Sequence, residues 1–262
     1  MKRLLAMIFC CAALFGTTCA EVTPPRAISF DNPKLKVFLP PAELANGKAI
    51  VCCPGGGYYI LATGHEGYDW VPFFNGEGVA FAVLEYRMPK GDREIPMDDV
   101  RRAFKILTDS AAAWRIDPKQ IGIMGSSAGG HLASAVATHP TPECSPAFQL
   151  LFYPVASLDK TITHKGTRQG FIGKDGSDDL AAEYSAENKV TATTPRAFII
   201  HCGDDDVVHP QNALRYYSAL QAAGVPATLL MYPKGGHGWG IWGPDGKRQP
   251  MLDEISSWLK TF

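Results

Sequence analysis

The sequence lacks an excess of charge of either sign. Its 25 Lys and Arg residues nearly balance 26 Asp and Glu residues, so the formal net charge is −1, and the two signs are interspersed along the chain. A nucleic-acid-binding face or a polybasic membrane patch requires clustered basic residues. The composition therefore argues against nucleic acid as a partner and favours a small or neutral molecule.

The chain lacks the cysteine and histidine spacing of a zinc site. Three of the seven cysteines lie within the first twenty residues, which leaves Cys52, Cys53, Cys144 and Cys202. None of these forms a C-x-x-C pair or a pattern suited to zinc. Cys52 and Cys53 lie in an apolar run and should point to opposite faces of one strand. We predict buried free thiols rather than disulfides, and neither a metal nor another cofactor.

The sequence also lacks an apolar run long enough to cross a bilayer, which takes about 20 residues. The run from Leu4 to Phe15 follows two basic residues and precedes small residues that end at Ala20. This pattern is typical of a secretory signal peptide. We therefore predict a signal peptide over residues 1–20, a mature chain beginning at Glu21, and export to the periplasm or the extracellular space. Lipid attachment at Cys19 is the alternative.

What the sequence does contain is a regular alternation of two patterns. Stretches with helical periodicity separate most of the short apolar runs that predict strands. The predicted strands are Leu35–Leu39, Ala49–Cys53, Val79–Leu84, Gln120–Met124, Phe148–Tyr153, Ala197–Cys202 and Ala227–Tyr232. The predicted helices are Gly67–Glu77, Met97–Trp114, Ala128–His139, Gln211–Gly224 and Pro250–Thr261. This order predicts an α/β fold with a mostly parallel sheet of about eight strands covered on both faces.

One segment interrupts the alternation. Residues 156–194 contain several Gly, Asp and Thr residues and no strong hydrophobic period. We expect loops or a small cap there, over the carboxyl edge of the sheet, where such folds bind their ligands. Residues 21–262 are otherwise expected to form one domain, because no linker or repeat divides them.

The stretch "GIMGSSAGGHLASA" changes from a strand pattern to a helix pattern at Ser127. A G-x-S-x-G motif at a strand-to-helix turn is typical of a nucleophile elbow, in which small residues allow the strand and the helix to close around the serine. Gly125 and Gly129 meet that requirement. We therefore predict that Ser127 is a nucleophile and that the backbone N–H of Ala128 faces any negative charge that develops beside it.

Three further segments supply the partners that such a serine needs. "PGGGYY" follows a predicted strand, and the amides of Gly56 and Gly57 are candidate oxyanion donors beside Ala128. "HCGDDDVVHP" and "YPKGGHGWG" each follow a later strand, and together they offer three aspartates and His237 as acid and base. The order serine, aspartate, histidine is that of the α/β hydrolases. Spacing within the first loop does not distinguish its three aspartates.

These motifs resemble those of the secreted bacterial α/β-hydrolases identified as acetylxylan or hemicellulose esterases. The resemblance extends to the stretches "LFYPVASL" and "DDVRRAFKILTDSAAAWRIDPKQIGIMGSSAGGHLAS". The outline of that family is similar to that of the hormone-sensitive-lipase-like esterases. The resemblance covers nearly everything after Val37. It implies a serine esterase that removes acetyl groups from an acetylated oligo- or polysaccharide. It also implies that Asp205 is the acid of the triad, with its two aspartate neighbours facing away. Pro54 stands where the latter family usually has histidine.

Four other residues near these motifs are candidates for substrate binding. Tyr58 and His65 lie beside the glycine loop, and Trp239 and Trp242 follow His237. His65 is equally suited to ordering its own loop, and the tryptophans are equally suited to core packing.

Two alternatives to an esterase remain open from the sequence. A serine peptidase of the same fold has the same order of catalytic residues. A non-catalytic carbohydrate-binding module built on a hydrolase scaffold is the other alternative, although the intact set of nucleophile, base, acid and glycine donors argues against it.

Overall fold

The computed structural model describes residues 26–262. The predicted signal peptide, Glu21 and Cys19 lie outside the described residues. The described chain contains eight strands, β1 (Arg26–Asp31), β2 (Lys34–Leu39), β3 (Gly47–Cys53), β4 (Ala80–Leu84), β5 (Ile116–Ser126), β6 (Phe148–Phe152), β7 (Arg196–Cys202) and β8 (Ala227–Tyr232). It also contains four short 3₁₀ helices and eight α-helices, α1 (Val71–Gly76), α2 (Glu94–Asp109), α3 (Ala111–Trp114), α4 (Ser127–Thr138), α5 (Lys165–Ile172), α6 (Asp178–Glu183), α7 (Gln211–Ala222) and α8 (Arg248–Leu259).

All eight strands form one sheet, in the order β1-β2-β4-β3-β5-β6-β7-β8. Strand β2 pairs antiparallel with both β1 and β4, whereas the remaining neighbours pair in parallel. The carboxyl ends of β3, β5, β7 and β8 therefore lie at one edge of the sheet. The predicted class, a mostly parallel α/β sheet, is confirmed.

Helices cover both faces of the sheet, as the alternation predicts. Apolar side chains of α2, α4 and α7 pack against one face, and those of α1 and α8 pack against the other. Cys53 belongs to the first layer and Cys52 to the second, so the two thiols do point to opposite faces. All four cysteines of the described chain are buried and free, as predicted.

The structure differs from the sequence prediction at several boundaries. Strand β1 has no counterpart among the predicted strands, and the long predicted helix 97–114 is two helices that meet at Ser110. The predicted cap segment, residues 156–194, contains two short helices, α5 and α6, rather than loops alone. Among residues 26–262, no helix combines the length and apolar character needed to cross a bilayer.

Candidate active site

The turn between β5 and α4 has the geometry of a nucleophile elbow. Strand β5 ends at Ser126, α4 begins at Ser127, and Ser127 has a φ of 51°. A non-glycine residue in this left-handed region is strained, and such strain accumulates at functional sites. A Cβ atom on Gly125 would overlap the Gly129 carbonyl, and one on Gly129 would overlap the Cys53 carbonyl. The turn therefore requires both glycines.

The serine is the first member of a chain of hydrogen bonds. Its Oγ lies 3.0 Å from Nε2 of His237, and Nδ1 of His237 lies 2.7 Å from Oδ2 of Asp205. A carboxylate accepts only, so Nδ1 carries the proton of the neutral imidazole, and Nε2 accepts from the Ser127 hydroxyl. The structure thus brings together the three residues that the sequence singles out, in the arrangement of a serine nucleophile and its base.

Three hydrogen-bond donors and a buried imidazole surround the Asp205 carboxylate. Oδ1 accepts from the backbone N–H groups of Val207 and Val208, at 3.0 and 2.8 Å. Oδ2 accepts from His237 and also lies 3.1 Å from Nε2 of His201, which is fully buried at the end of β7. Burial opposes ionisation, but these hydrogen bonds outweigh it and hold the pKa of Asp205 well below its usual range. His201 is therefore a support for the acid that sequence reasoning missed.

The neighbouring aspartates have different surroundings. Asp204 and Asp206 are exposed, whereas Asp205 is buried. Oδ1 of Asp204 accepts from the backbone N–H of Gly236 at 2.9 Å, so Asp204 ties the aspartate loop to the histidine loop without contacting the imidazole. This alternation is the one expected at an extended strand end.

The glycine loop after β3 lies against the elbow. The N–H of Gly55 donates to the Glu66 carboxylate, and the positive φ angles of Gly56 and Gly57, 127° and 65°, turn the next two amides. Within residues 26–262, neither of these two amides donates a hydrogen bond. The amide of Ala128 lies in the first turn of α4, where a helix provides no acceptor. These three amides are therefore unpaired donors, as an oxyanion site requires.

A buried carboxylate connects the glycine loop to the histidine loop. Oε2 of Glu66 accepts from Gly55, and Oε1 accepts from the Tyr153 hydroxyl at 2.7 Å. That hydroxyl in turn accepts from the backbone N–H of Gly240, and the Tyr153 ring centroid lies 4.6 Å from that of His237. One network thus positions both the donor loop and the imidazole.

The structure places the four candidate substrate-binding side chains in different environments. The prediction for Tyr58 is wrong: its side chain is only 3% exposed, its φ of 62° directs the ring inward, and its hydroxyl bonds to Nδ1 of His131. Trp239 is 7% exposed and packs edge-on against Tyr153, which favours the core-packing alternative. His65 stays a candidate, although its carbonyl accepts from Ile241 and so orders the loop.

Trp242 is the fourth substrate-binding candidate, and His131 is a second histidine close to Ser127 in the sequence. Trp242 is 54% exposed, so it keeps an accessible aromatic face. His131 is fully buried one turn after Ser127, and Nε2 donates to the Tyr184 carbonyl while Nδ1 accepts from Tyr58. It is therefore a packing residue rather than a second base.

In an α/β hydrolase the nucleophile precedes the acid and the histidine along the chain, and each follows its own strand. Ser127, Asp205 and His237 occur in that order after β5, β7 and β8. Fold and site therefore define the class of this molecule as an α/β hydrolase. The sequence model of the α/β hydrolase fold family matches residues 55–241, and the chain belongs to that family.

Two individual relatives are similar to this chain over most of its length. The chain is 44% identical over 229 residues to an acetylxylan esterase from Xylanibacter ruminicola, across 86% of this chain and 47% of that protein. It is 30% identical over 204 residues to endo-1,4-beta-xylanase B from Butyrivibrio fibrisolvens, across 72% of this chain and 32% of that protein. The chain thus spans less than half the length of either relative.

A solved structure covers the whole fold. The acetyl ester-xyloside bifunctional hydrolase from Caldicellulosiruptor lactoaceticus superposes with a TM-score of 0.81 at 29% identity, over 92% of this chain and 98% of that chain. Two of these three proteins therefore have acetyl esters in their names, and all three names refer to xylan or xylosides.

Proposed function

We propose that this protein is a serine-dependent carboxylic ester hydrolase that removes acetyl groups from xylan or a related plant glycan. One observation carries the proposal: Ser127, His237 and Asp205 form one hydrogen-bond chain, and the glycine loop, whose amides of Gly56 and Gly57 donate no hydrogen bond within residues 26–262, lies against the serine end of that chain. The names of the relatives support the acetyl group and the glycan. We further propose that the enzyme acts after export.

In the first half of the reaction, Ser127 Oγ attacks the acetyl carbonyl carbon while its proton passes to Nε2 of His237. The oxyanion that forms accepts hydrogen bonds from Gly56, Gly57 and Ala128. Collapse of this intermediate breaks the bond to the sugar oxygen, which takes the proton from Nε2 and leaves as a free hydroxyl. The acetyl group remains on the serine.

In the second half, water replaces the sugar. His237 takes a proton from the attacking water, the same amides stabilise the second oxyanion, and the serine leaves with the proton returned from Nε2. Acetate is released. Throughout both halves the Asp205 carboxylate holds Nδ1–H, which fixes the tautomer of His237 and stabilises its cation.

The assay is acetate release from a panel of acetylated xylo-oligosaccharides, beside a panel of peptide anilides. We expect acetate from the glycans and no cleavage of the anilides. Cleavage of the anilides without acetate release would make the protein a peptidase. Failure of a fluorophosphonate probe to label Ser127 in the folded protein would instead favour a non-catalytic binding module.

A further inference from the structure

Two side chains outside the triad lie against the glycine loop. A Cβ atom placed on Gly57 would be 3.4 Å from Cε1 of His164 and 3.4 Å from Cδ2 of Tyr59. A Cβ atom placed on Gly166 would be 3.0 Å from both rings. The imidazole and the phenol therefore border the same two glycines, one of which is a proposed oxyanion donor.

The hydrogen bonds of His164 determine which of its nitrogens is free. His164 precedes α5, and its Nδ1 accepts from the backbone N–H of Thr167 at 3.2 Å and contacts the Thr167 hydroxyl at 2.9 Å. An amide nitrogen only donates, so Nδ1 is unprotonated, and the neutral ring carries its proton on Nε2. Within residues 26–262, no acceptor pairs with this Nε2–H.

The electrostatics agree with a neutral donor close to the triad. Partial burial, followed by the nearby charge of His237, lowers the pKa of His164 below its ordinary value. The lowered pKa favours the uncharged ring. A neutral N–H can bond to a sugar oxygen without the cost of desolvating a cation.

Tyr59 provides a second kind of contact. Its side chain is 67% exposed although it belongs to the glycine loop, where its own N–H donates to the Gly56 carbonyl. Within the described chain its hydroxyl has no hydrogen-bond partner. An exposed aromatic face beside a fixed donor is the combination with which proteins recognise the apolar face and the hydroxyls of a sugar.

We propose that Tyr59 and His164 form a subsite for the pyranose ring that carries the acetyl ester. The Tyr59 ring stacks on the sugar, and the Nε2–H of His164 donates to a sugar oxygen. This inference rests on the proposed function, because it names the recognition of the leaving alcohol. It also replaces the incorrect prediction for Tyr58 with the next residue along the loop.

The test compares two substrates that share the acetyl group but differ in the alcohol. Acetate release is measured for an acetylated methyl xyloside and for ethyl acetate, whose alcohol has neither a ring nor a second hydroxyl. His164→Asn keeps a residue suited to the N-cap of α5 and shortens the donor. Tyr59→Ala removes the platform, and Leu44→Ala truncates an exposed side chain elsewhere.

We expect kcat/KM on the xyloside to fall by about threefold to tenfold in each subsite variant, the range that a single neutral hydrogen bond or aromatic contact provides. Ethyl acetate hydrolysis should change by less than about twofold, because no interaction with the small alcohol is lost. The Leu44→Ala enzyme should match the wild type on both substrates.

Two results would overturn the proposal in distinguishable ways. If the wild-type enzyme hydrolyses ethyl acetate but no acetylated pyranoside, the glycan function fails and the subsite fails with it. The wild type could instead hydrolyse the xyloside while kcat/KM of the Tyr59→Ala and His164→Asn variants falls equally on both substrates or changes on neither. In that case the glycan function stands and only the subsite is wrong. If Trp242→Ala instead lowers kcat/KM on the xyloside alone, the aromatic residue that stacks on the sugar lies in the histidine loop and is not Tyr59.

Discussion

At the scale of single residues, the Asp205 carboxylate is the most heavily supported group in the site. Two backbone amides and His237 donate to it, and Nε2 of His201, which bonds to the Val208 carbonyl, lies 3.1 Å from it, so its charge and its orientation are held from several sides. A carboxylate held in this way can stabilise the imidazolium that forms when His237 takes the serine proton. The two exposed aspartates beside it lack this environment.

Exchanging aspartate for asparagine should have different effects on kcat at Asp205 and at Asp206. Asp205→Asn should lower kcat by up to about 10⁴-fold, because an amide cannot hold the tautomer of His237 or stabilise its cation. Asp206→Asn, at an exposed position that does not contact the imidazole, should lower kcat by less than about tenfold. Acetate release by both folded variants at one pH is the measurement, and a larger loss in Asp206→Asn would show that the acid is misassigned.

The structure brings together the residues that chain order indicates, whereas the sequence misses those whose position depends on backbone conformation. The order serine, aspartate, histidine is visible in the sequence, but the choice of Asp205 depended on a family resemblance. Tyr58 was misassigned because a positive φ turns its ring into the core, and no local pattern indicates that turn. The contact of His201 with Asp205 depends on how the chain folds back after β7, which spacing does not reveal.

At the scale of elements, the site depends on how closely β5, α4 and the end of β3 approach one another. A side chain on Gly129 would overlap the carbonyls of Cys53 and Pro54, and backbone atoms cannot move aside as a flexible side chain can. Gly76, in the last turn of α1, offers a matched comparison because no atom lies within 4 Å of its Cβ position.

We therefore expect opposite effects from two glycine-to-alanine changes. Gly129→Ala should lower the free energy of unfolding by about 2 kcal/mol or more, since the added methyl group overpacks the junction. Gly76→Ala should leave stability within about 1 kcal/mol of the wild type or raise it, because alanine restricts the unfolded chain. Urea unfolding of both variants checks this. Equal stability of the two would mean that the elbow is looser than the structure indicates.

The strands were predictable where their apolar residues form a run. The strands from β2 to β8 have such runs, and six of them, β3 to β8, pair in parallel. Strand β1 lies at the sheet edge with alternating exposure, and its sequence has no long apolar run. The cap helices α5 and α6 are short and polar, so their helical period is too weak to detect.

At the scale of the whole molecule, buried titratable groups link stability to pH. Burial lowers the pKa of His131 to about 4 from its ordinary value of 6.5. Between these values the unfolded chain binds a proton that the folded chain does not, so stability falls as the pH falls through this range. The depressed pKa of Asp205 acts in the same direction at lower pH, where its stabilising contribution is lost.

The free energy of unfolding should accordingly decrease between pH 6.5 and pH 4, with up to about 1.4 kcal/mol per pH unit coming from His131. His131→Gln should be less stable at pH 7, because it disturbs the hydrogen bonds to Tyr58 and Tyr184, but its stability should depend less on pH. Denaturant unfolding at several pH values measures both slopes. A variant slope as steep as that of the wild type would exclude His131 as the source.

The central claim is that Ser127 is the nucleophile of an acetyl esterase, and the serine beside it provides the control. Ser126 is buried, and within the described chain its hydroxyl has no hydrogen-bond partner, so its removal should leave the site intact. The deciding measurement is kcat for acetate release from an acetylated xylo-oligosaccharide by two folded variants. We predict a loss of about 10³-fold or more for Ser127→Ala and of less than about tenfold for Ser126→Ala. Equal losses in the two variants, or full activity in Ser127→Ala, would contradict the account.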